Sequence, residues 1–201
     1  MPRVVALGDA HLGRQYHART TPEGTNQREA DFEASFEAAV DLGLSLGPDV
    51  FVWLGDVFDQ PRPGYRAFRV AQRALRRIRD HGIPLVAISG NHDTPRSVET
   101  GNVLRLFDLL GIHAVSEQAR WLKFEQLGCA VLAVPHQALV SGAPPPLVAE
   151  PDPACPIPIL VIHGEVEGLF PDRDALELGG AYLKHDYLDP GIWTYVALGH
   201  Y

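Results

Sequence analysis

The chain has 201 residues, 46% of them hydrophobic and 21% charged, which is typical of a globular domain. Its net charge of −8 argues against nucleic-acid binding through bulk charge, because such domains tend to be basic, but it leaves room for a local basic stripe. Two cysteines are too few for a disulfide framework or a thiolate metal cluster. No apolar run approaches the ~18 residues that span a bilayer, and the first residues leave no room for a signal peptide. The sequence therefore predicts a cytoplasmic, reduced protein without a membrane segment.

Short runs of β-branched and aliphatic residues predict buried strands, and several of them end directly in a glycine or a polar cluster. In chain order the predicted strands are Val4–Leu7, Val50–Leu54, Leu85–Ser89, Cys129–Val134, Ile159–Ile162 and Tyr195–Leu198.

Amphipathic stretches between the first strands predict three helices. The first follows a capping box of Asn26 and Glu29 and carries an apolar residue at every fourth position. The other two are expected over Gly64–Asp80 and over Glu99–Leu110, which Gly111 closes.

The rest of the chain predicts less regular structure. Residues 116–134 indicate a strand pair without an intervening helix, so part of the sheet is expected to be antiparallel. Ala143–Pro158 contains seven of the 17 prolines and is expected to be a surface loop, neither helix nor central strand. The alternation of strands and helices predicts a single-domain α/β layered fold with mixed β-sheets flanked by helices.

Polar residues follow five of the predicted strands at the point where each strand ends. In layered α/β folds, ligand sites assemble at the carboxyl ends of the strands. The residues delivered to that edge are Asp9, His11, Asp56, Asn91, His92, His163 and His200. The other histidines lack a motif and are expected on the surface or in loops: His17, His81, His113, His136 and His185.

These side chains combine carboxylate, amide and imidazole ligands without a thiolate. Such a set accommodates Mn²⁺, Fe²⁺ or Zn²⁺ and does not choose among them. One carboxylate can bridge two ions about 3.5–4 Å apart, which together clamp a phosphate and activate a water near neutral pH. Each motif alone has a common structural role, such as a turn at Gly55-Asp56. Their order, spacing and strand-end placement together predict a two-metal site.

The motifs resemble those of the calcineurin-like metallophosphoesterases. Within that superfamily, the segments Asp9–Gly13, Gly55–Asp59 and Ser89–Asp93 resemble the SbcD-type DNA-repair nucleases, and the similarity runs from Val4 to Tyr201. The resemblance implies two divalent ions, Mn²⁺ first and Fe²⁺ or Zn²⁺ as alternatives. The implied ligands are Asp9 and His11 for the first metal, Asp56 for both, and Asn91, His163 and His200 for the second.

The resemblance also implies roles for residues around the ligands. His92 would not bind metal but would stabilise or protonate the leaving oxygen. Asp59 and Asp93 would orient an imidazole or a water without binding the ions. The family motif Gly-His-x-His would end with a histidine directly after Tyr201. The sequence is therefore expected to be a catalytic domain, residues 1–201, that is cut short inside its last metal-binding motif.

Five arginines, Arg62, Arg66, Arg69, Arg73 and Arg76, are spaced by four, three, four and three residues and form one helical stripe. This stripe is either a solvated face or a contact surface for DNA or a second subunit, because arginine pairs well with phosphate and carboxylate. Members of the resembled family dimerise through helices of this region.

The resemblance implies a metal-dependent phosphodiesterase or DNA exonuclease of a repair complex. Its partners would be DNA, an SbcC-type ATPase subunit and a second copy of the chain in a homodimer. One alternative is a metallophosphoesterase for a small nucleotide or a phosphoprotein. An alternative of another class is a non-catalytic scaffold for partner assembly.

Overall fold

The computed structural model describes residues 1–17, 19–95, 101–141, 152–167 and 181–200. The strands are β1 (Val4–Leu7), β2 (Val50–Trp53), β3 (Leu85–Ile88), β4 (His113–Val115), β5 (Arg120–Phe124), β6 (Cys129–Val134), β7 (Ile157–His163), β8 (Glu165–Val166), β9 (Tyr182–Leu183) and β10 (Tyr195–Gly199). The α-helices are α1 (Gln27–Ser45), α2 (Tyr65–Asp80), α3 (Arg105–Asp108) and α4 (His136–Val140). Among the described residues, no helix has the length and apolar character needed to cross a membrane.

Two four-stranded sheets form the centre of the molecule. The first has the order β1-β2-β3-β4 and is entirely parallel. The second has the order β10-β7-β6-β5, in which only the β5–β6 pair is antiparallel. The predicted α/β fold with mixed sheets flanked by helices is confirmed, as is the antiparallel pair within residues 116–134.

Strand β2 shows how the layers stack, because its side chains alternate between two cores. Phe51 and Trp53 point to the helical side, where they pack with residues of α1 and α2. Val50 and Val52 point to the other side and pack with residues of β6 and β7 in the second sheet. The two sheets therefore face each other across a buried apolar layer, with α1 and α2 outside the first sheet.

The start of α1 follows from one side chain. Asn26 Oδ1 accepts hydrogen bonds from the backbone N of Arg28 (3.0 Å) and Glu29 (3.3 Å), which satisfies amides that the helix leaves open. The Glu29 carboxylate accepts a hydrogen bond from Gln15 Nε2 at 2.8 Å. The predicted N-cap is confirmed, and Glu29 links the helix to the preceding loop.

The structure corrects the third predicted helix. Instead of Glu99–Leu110, α3 covers Arg105–Asp108, and residues 96–100 lie outside the described residues. Gly101 has a left-handed φ of +66°, and Asn102 Oδ1 accepts a hydrogen bond from Leu104 N at 2.9 Å. This turn competes with helix formation, so regular structure begins later than the apolar periodicity suggests.

Two other predictions change. Pro158 lies in β7, a central strand, although the loop prediction extended through it; residues 143–151 of that loop lie outside the described residues. Pro158 is only the second residue of β7, where its carbonyl accepts a hydrogen bond from Thr194 N at 3.0 Å. His136 is buried at the start of α4, not in an exposed loop, and its ring centroid is 6.4 Å from that of His163.

Candidate metal centre

The loops after β1 and β2 are joined by backbone hydrogen bonds that continue the parallel ladder of the first sheet. Asp9 N donates to Gly55 O at 3.1 Å, and His11 N donates to Asp56 O at 2.9 Å. These bonds fix Asp9, His11 and Asp56 relative to one another at the carboxyl edge of the sheet. The structure thus brings together the three residues predicted for the first metal.

The backbone at this edge is strained. Asp9, His11, Asp56 and His200 have positive φ values of 55°, 42°, 48° and 105°, and the only other non-glycine residue of this kind in the described chain is His17. Such conformations cost about 1–3 kcal/mol each and persist only where the surroundings enforce them. Their concentration at one edge indicates that the ligand geometry is maintained at the expense of stability.

Asp56 occupies the centre of the cluster and is 1% exposed. Its Oδ2 lies 3.5 Å from His163 Nε2 and 4.0 Å from His11 Nε2, while Oδ1 accepts a hydrogen bond from His92 N at 2.8 Å. Burial opposes the charge of this carboxylate, but the hydrogen bond and charge of His163 outweigh burial and lower the pKa of Asp56. A carboxylate between two imidazoles is placed to bridge two cations.

His163 is oriented by the opposite sheet. Its Nδ1 lies 2.7 Å from the carbonyl oxygen of Leu54, an acceptor, so Nδ1 carries the proton and donates. In the neutral ring, Nε2 is then the lone-pair atom, and it faces Asn91 Oδ1 at 3.0 Å and Asp56. Burial disfavours protonation, but the hydrogen bond and charge of Asp56 prevail and raise the pKa of His163.

The loop after β3 and the end of β10 complete the cluster. Asn91 Oδ1 lies 3.1 Å from His200 Nδ1 and also faces His163, so one amide oxygen meets two imidazoles. The backbone N of His200 donates to Asp9 Oδ2 at 3.2 Å. All six predicted ligands, contributed by both sheets, therefore converge on one place.

The residues fit a pair of divalent cations. Ligand atoms of His11, Asp56 and His92 lie within 4.8 Å of one another, and so do those of Asp56, His163 and His200. Asp56 belongs to both groups, as a bridging ligand must. Burial lowers the pKa of His11, which favours the neutral imidazole that binds a metal.

His92 lies at the open side of the cluster. Its Nδ1 donates to the backbone carbonyl of Asp59 at 2.9 Å, which sets the orientation of the ring. The ring stands edge-on to that of His11, with centroids 4.6 Å apart. Because the position of His92 also fits metal ligation, its assignment to the leaving oxygen stays a prediction.

The buried Asp93 carboxylate joins the loop after β2 to the loop after β3. Its carboxylate accepts hydrogen bonds from the backbone N of Phe58 (2.9 Å), Val57 (3.2 Å) and Gly90 (3.2 Å). Complete burial, together with the nearby charge of Asp56, raises the pKa of Asp93 to about 7 despite these three donors. Its described hydrogen bonds go to backbone amides, so Asp93 fixes the loops that carry Asp56 and Asn91.

Asp59 lies between the ligands and solvent. Its Oδ1 is 3.6 Å from His11 Nδ1 and 3.8 Å from His92 Nδ1, which places it beside both imidazoles. The same oxygen is 3.7 Å from Arg14 Nε. Arg14 was not among the residues that the sequence motifs singled out, and only its position directly after Gly13 of the first motif could have drawn attention to it.

The arginines of the stripe differ in what they contact. Arg66 binds Glu33 of α1 through two hydrogen bonds of 2.7 and 2.6 Å, and Arg73 binds Glu37 at 2.7 Å. Arg69 lies 5.6 Å from the ring centroid of Tyr65, and Arg62 is exposed. Arg76 lies 3.5 Å from Asp80 within α2. Two of the five arginines of the stripe, Arg66 and Arg73, therefore join α2 to α1 within the chain.

Parallel strands whose carboxyl ends hold two ligand groups around a shared carboxylate define a two-metal phosphoester hydrolase. The sequence profile of the calcineurin-like phosphoesterases matches residues 2–170. The chain belongs to the calcineurin-like phosphoesterase family, which uses divalent metals, and the family predicted from the motifs is confirmed.

The chain is also similar to proteins named DNA double-strand break repair protein Mre11. It is 28% identical to that of Saccharolobus solfataricus over 212 residues, which cover 100% of this chain and 49% of the relative. It is 37% identical to that of Aeropyrum pernix over 108 residues, which cover 54% of this chain and 25% of the relative. It is 41% identical to that of Haloferax volcanii over 113 residues, 56% and 23% of the two chains. The chain thus matches about half of these relatives' length or less.

Proposed function

We propose that this chain is the catalytic domain of a metal-dependent phosphodiesterase that cuts DNA within a repair complex. The observation that carries the proposal is Asp56, a buried carboxylate placed between His11 and His163 where two ligand groups meet. The names of the Mre11 relatives support DNA as the substrate class.

The chain's own residues would divide the work. Asp9 and His11 would hold one cation and share Asp56 with a second, which Asn91, His163 and His200 would hold. When bound, the ions would supply Lewis acidity and an activated water. We propose Mn²⁺, with Fe²⁺ or Zn²⁺ as alternatives, because the ligand set mixes oxygen and nitrogen atoms.

His92 would act on the leaving oxygen. Because Nδ1 is engaged by the Asp59 carbonyl, a protonated ring would present its second proton at Nε2, on the side away from that anchor. The edge-on contact with His11 and the backbone bond to Asp56 keep the ring from turning. A fixed imidazolium beside the reacting phosphate is suited to general acid catalysis.

We propose two protein partners, an SbcC-type ATPase subunit and a second copy of the chain. Support for the second copy is an exposed, largely apolar groove between α2 and α3, whose lining includes Pro61, Pro63, Tyr65, Phe68, Val103 and Leu106 together with the polar Arg62 and Asn102. Tyr65 is 77% exposed and Leu106 49%, and a contiguous apolar patch of this kind is typical of a protein contact. Sedimentation of Leu106→Glu against the unchanged chain tests this contact. A cytoplasmic location completes the proposal and agrees with the two free cysteines.

A single comparison of substrates tests the catalytic proposal. The chain is incubated with Mn²⁺ and either a fluorescent DNA duplex or a phosphate monoester such as p-nitrophenyl phosphate. Cleavage of the duplex that stops on chelation supports the nuclease. Release of phosphate from the monoester without cleavage of DNA would instead indicate a small-substrate phosphoesterase.

That second candidate has one observation in its favour. Arg66 and Arg73, which the sequence offered as phosphate contacts, are bound to Glu33 and Glu37 of the same chain. Their charge is therefore less available to a DNA backbone. A small nucleotide or a phosphoprotein would not need it.

A further inference from the structure

Arg14 lies at the rim of the metal centre and has no part in the ligand set. Its Nε is 3.7 Å from Asp59 Oδ1, and the same oxygen is 3.8 Å from His92 Nδ1. One carboxylate thus separates the guanidinium from the ring proposed to act on the leaving oxygen. Arg14 and His92 therefore lie on either side of the same carboxylate oxygen.

The position of Arg14 is built by its own loop. Its backbone N donates to His11 O at 3.0 Å, which ties Arg14 to a metal ligand. Its Nε donates to the hydroxyl of Tyr16 at 2.7 Å, and the guanidinium carbon lies 5.0 Å from the centroid of the Tyr16 ring. The hydrogen bond and the cation–π contact fix the direction of the fork.

The loop is in turn anchored to the start of α1. Gln15 Nε2 donates to Glu29 Oε2 at 2.8 Å, and Asn26 Nδ2 donates to His17 O at 2.8 Å. Asn26 is also the N-cap of α1, so the side chain that begins the helix holds the segment next to Arg14. The loop that carries the Arg14 guanidinium is therefore held in place by the start of α1.

The outer half of this guanidinium is open to a ligand. Nε has a protein partner, but Nη1 and Nη2, which carry four N–H donors, make no hydrogen bond to any residue that the structure describes. The Arg14 side chain is nevertheless only 26% exposed. A half-buried fork with two free donor pairs matches the geometry of a phosphate group.

We propose that Arg14 binds the phosphate next to the scissile one on a nucleic-acid strand, through Nη1 and Nη2. This assignment rests on the proposed function, since a strand is the substrate that carries a neighbouring phosphate. The scissile phosphate belongs at Asp56 and His92, and Asp59 separates Arg14 from that place. Arg14 would thereby favour polynucleotides over diesters that contain a single phosphate.

Two substrates that differ in phosphate number test this assignment. Arg14→Gln and Arg14→Lys are compared with the unchanged chain and with Arg28→Gln, a control that removes an arginine whose ion pair among the described residues is with Asp31. For a fluorescein-labelled single-stranded oligonucleotide, Arg14→Gln should raise KM about 10-fold, the size expected for one charged hydrogen-bonded contact. For bis(p-nitrophenyl) phosphate, the same variant should keep its kcat and KM. Arg14→Lys should lie between the two for the oligonucleotide, because it keeps the charge but not the fork.

Binding without turnover gives a second readout. Fluorescence anisotropy of the oligonucleotide in EDTA, measured over a range of salt, should show a salt slope for Arg14→Gln that is smaller by about 0.7, the value for one single-strand phosphate contact. Arg28→Gln should follow the unchanged chain.

Two results would overturn the assignment alone. An equal loss on both substrates would mean that Arg14 acts on the metal centre through Asp59, and unchanged oligonucleotide binding would mean that it meets no phosphate. A third result would refute the proposed function, and the Arg14 assignment with it. In that case the unchanged chain would hydrolyse the small diester but would neither bind nor cut the oligonucleotide.

Discussion

Charged and polar side chains concentrate in two regions, the metal centre and the contact between α1 and α2, and the two regions satisfy them in opposite ways. Across the helices, cations meet anions, as in the two-pronged pair of Arg66 with Glu33. In the metal centre, polar atoms of several loops converge instead, as Asn91 Oδ1 does with ring nitrogens of His163 and His200 at 3.0 and 3.1 Å. Charges that are neutralised by other side chains of the same protein belong to the scaffold. Ligand atoms that converge at a strained backbone are instead suited to binding a cation from solution.

The largest effect is expected for His92, where a substitution would distinguish a role in catalysis from a role in metal binding. His92→Ala should lower phosphodiester turnover by about 10²–10⁴-fold, because a positioned general acid contributes that much. Its metal content, measured by elemental analysis after dialysis, should match the unchanged chain. His81→Ala, which removes an exposed histidine at the end of α2, is the control and should keep full turnover. Loss of an ion from His92→Ala would move His92 into the ligand set.

The close packing of the metal centre can be broken by one methyl group. A Cβ at Gly90 would lie 2.6 Å from Asp56 N and would overlap the Asp56 carboxylate. Gly90→Ala should therefore reduce the free energy of unfolding by about 1–3 kcal/mol, the cost of overpacking, and displace the bridging ligand. Gly64→Ala is the matched control, because nothing lies within 4 Å of its Cβ and φ is −64°. Denaturant titration measures both, and equal stabilities would show that the loop yields.

The two halves of the metal centre should differ in affinity. In the proposed assignment, the site around His163 has four ligands from this chain, with Asp56, Asn91 and His200, whereas the other site has three, Asp9, His11 and Asp56. We expect the weaker site to bind Mn²⁺ at least about 10–100-fold less tightly, since even changes outside the ligand set have that effect. Isothermal titration calorimetry of the metal-free chain should show two classes of site. Two sites of equal affinity would mean that a further group, such as His92, also binds the ion held by Asp9 and His11.

The smallest effect is expected in the helical contact. Arg66→Gln should lower the free energy of unfolding by about 1 kcal/mol, because the pair is bidentate but Arg66 is 52% exposed and partly screened. A double-mutant cycle with Glu33→Gln isolates the pair. Arg28→Gln, from a looser surface pair, should change stability less. A large fall in DNA binding by Arg66→Gln with stability unchanged would contradict the scaffold role.

Much of the metal centre was accessible from sequence because its signals are local. Each ligand segment follows a buried apolar run, and the carboxyl ends of parallel strands in one sheet lie at one edge, so Asp9 and Asp56 could be placed together before any geometry was known. His163 follows a strand of the second sheet, and the order and spacing of the motifs linked it to them. The strand limits differ by at most a few residues, as at β7, where the run begins at Ile157 and not at Ile159.

Other features depend on partners distant in sequence. The bond from His163 Nδ1 to Leu54 O joins residues 109 positions apart, and no motif marks a backbone carbonyl as an acceptor. The Arg66–Glu33 pair required the relative placement of two helices, although the acidic residues Glu33, Glu37 and Asp41 recur every four positions on α1. The shortened α3 reflects the turn at Asn102, a side-chain bond that apolar periodicity does not register.

The hydrogen bond between His163 and Leu54 joins the two sheets at the proposed metal centre, so ions bound there would also hold the two sheets together. Leu54 follows β2 of the first sheet, and His163 ends β7 of the second. Of the proposed ligands, Asp56 and Asn91 come from the first sheet and His163 and His200 from the second, so the proposed second ion would be held by both sheets. Any ion that binds there also resists separation of the sheets. Free metal at 100 times its dissociation constant would add about 2.7 kcal/mol to stability. The melting temperature of this chain should therefore rise with metal concentration. The size of that rise would report how strongly the bound ions stabilise the contact between the two sheets.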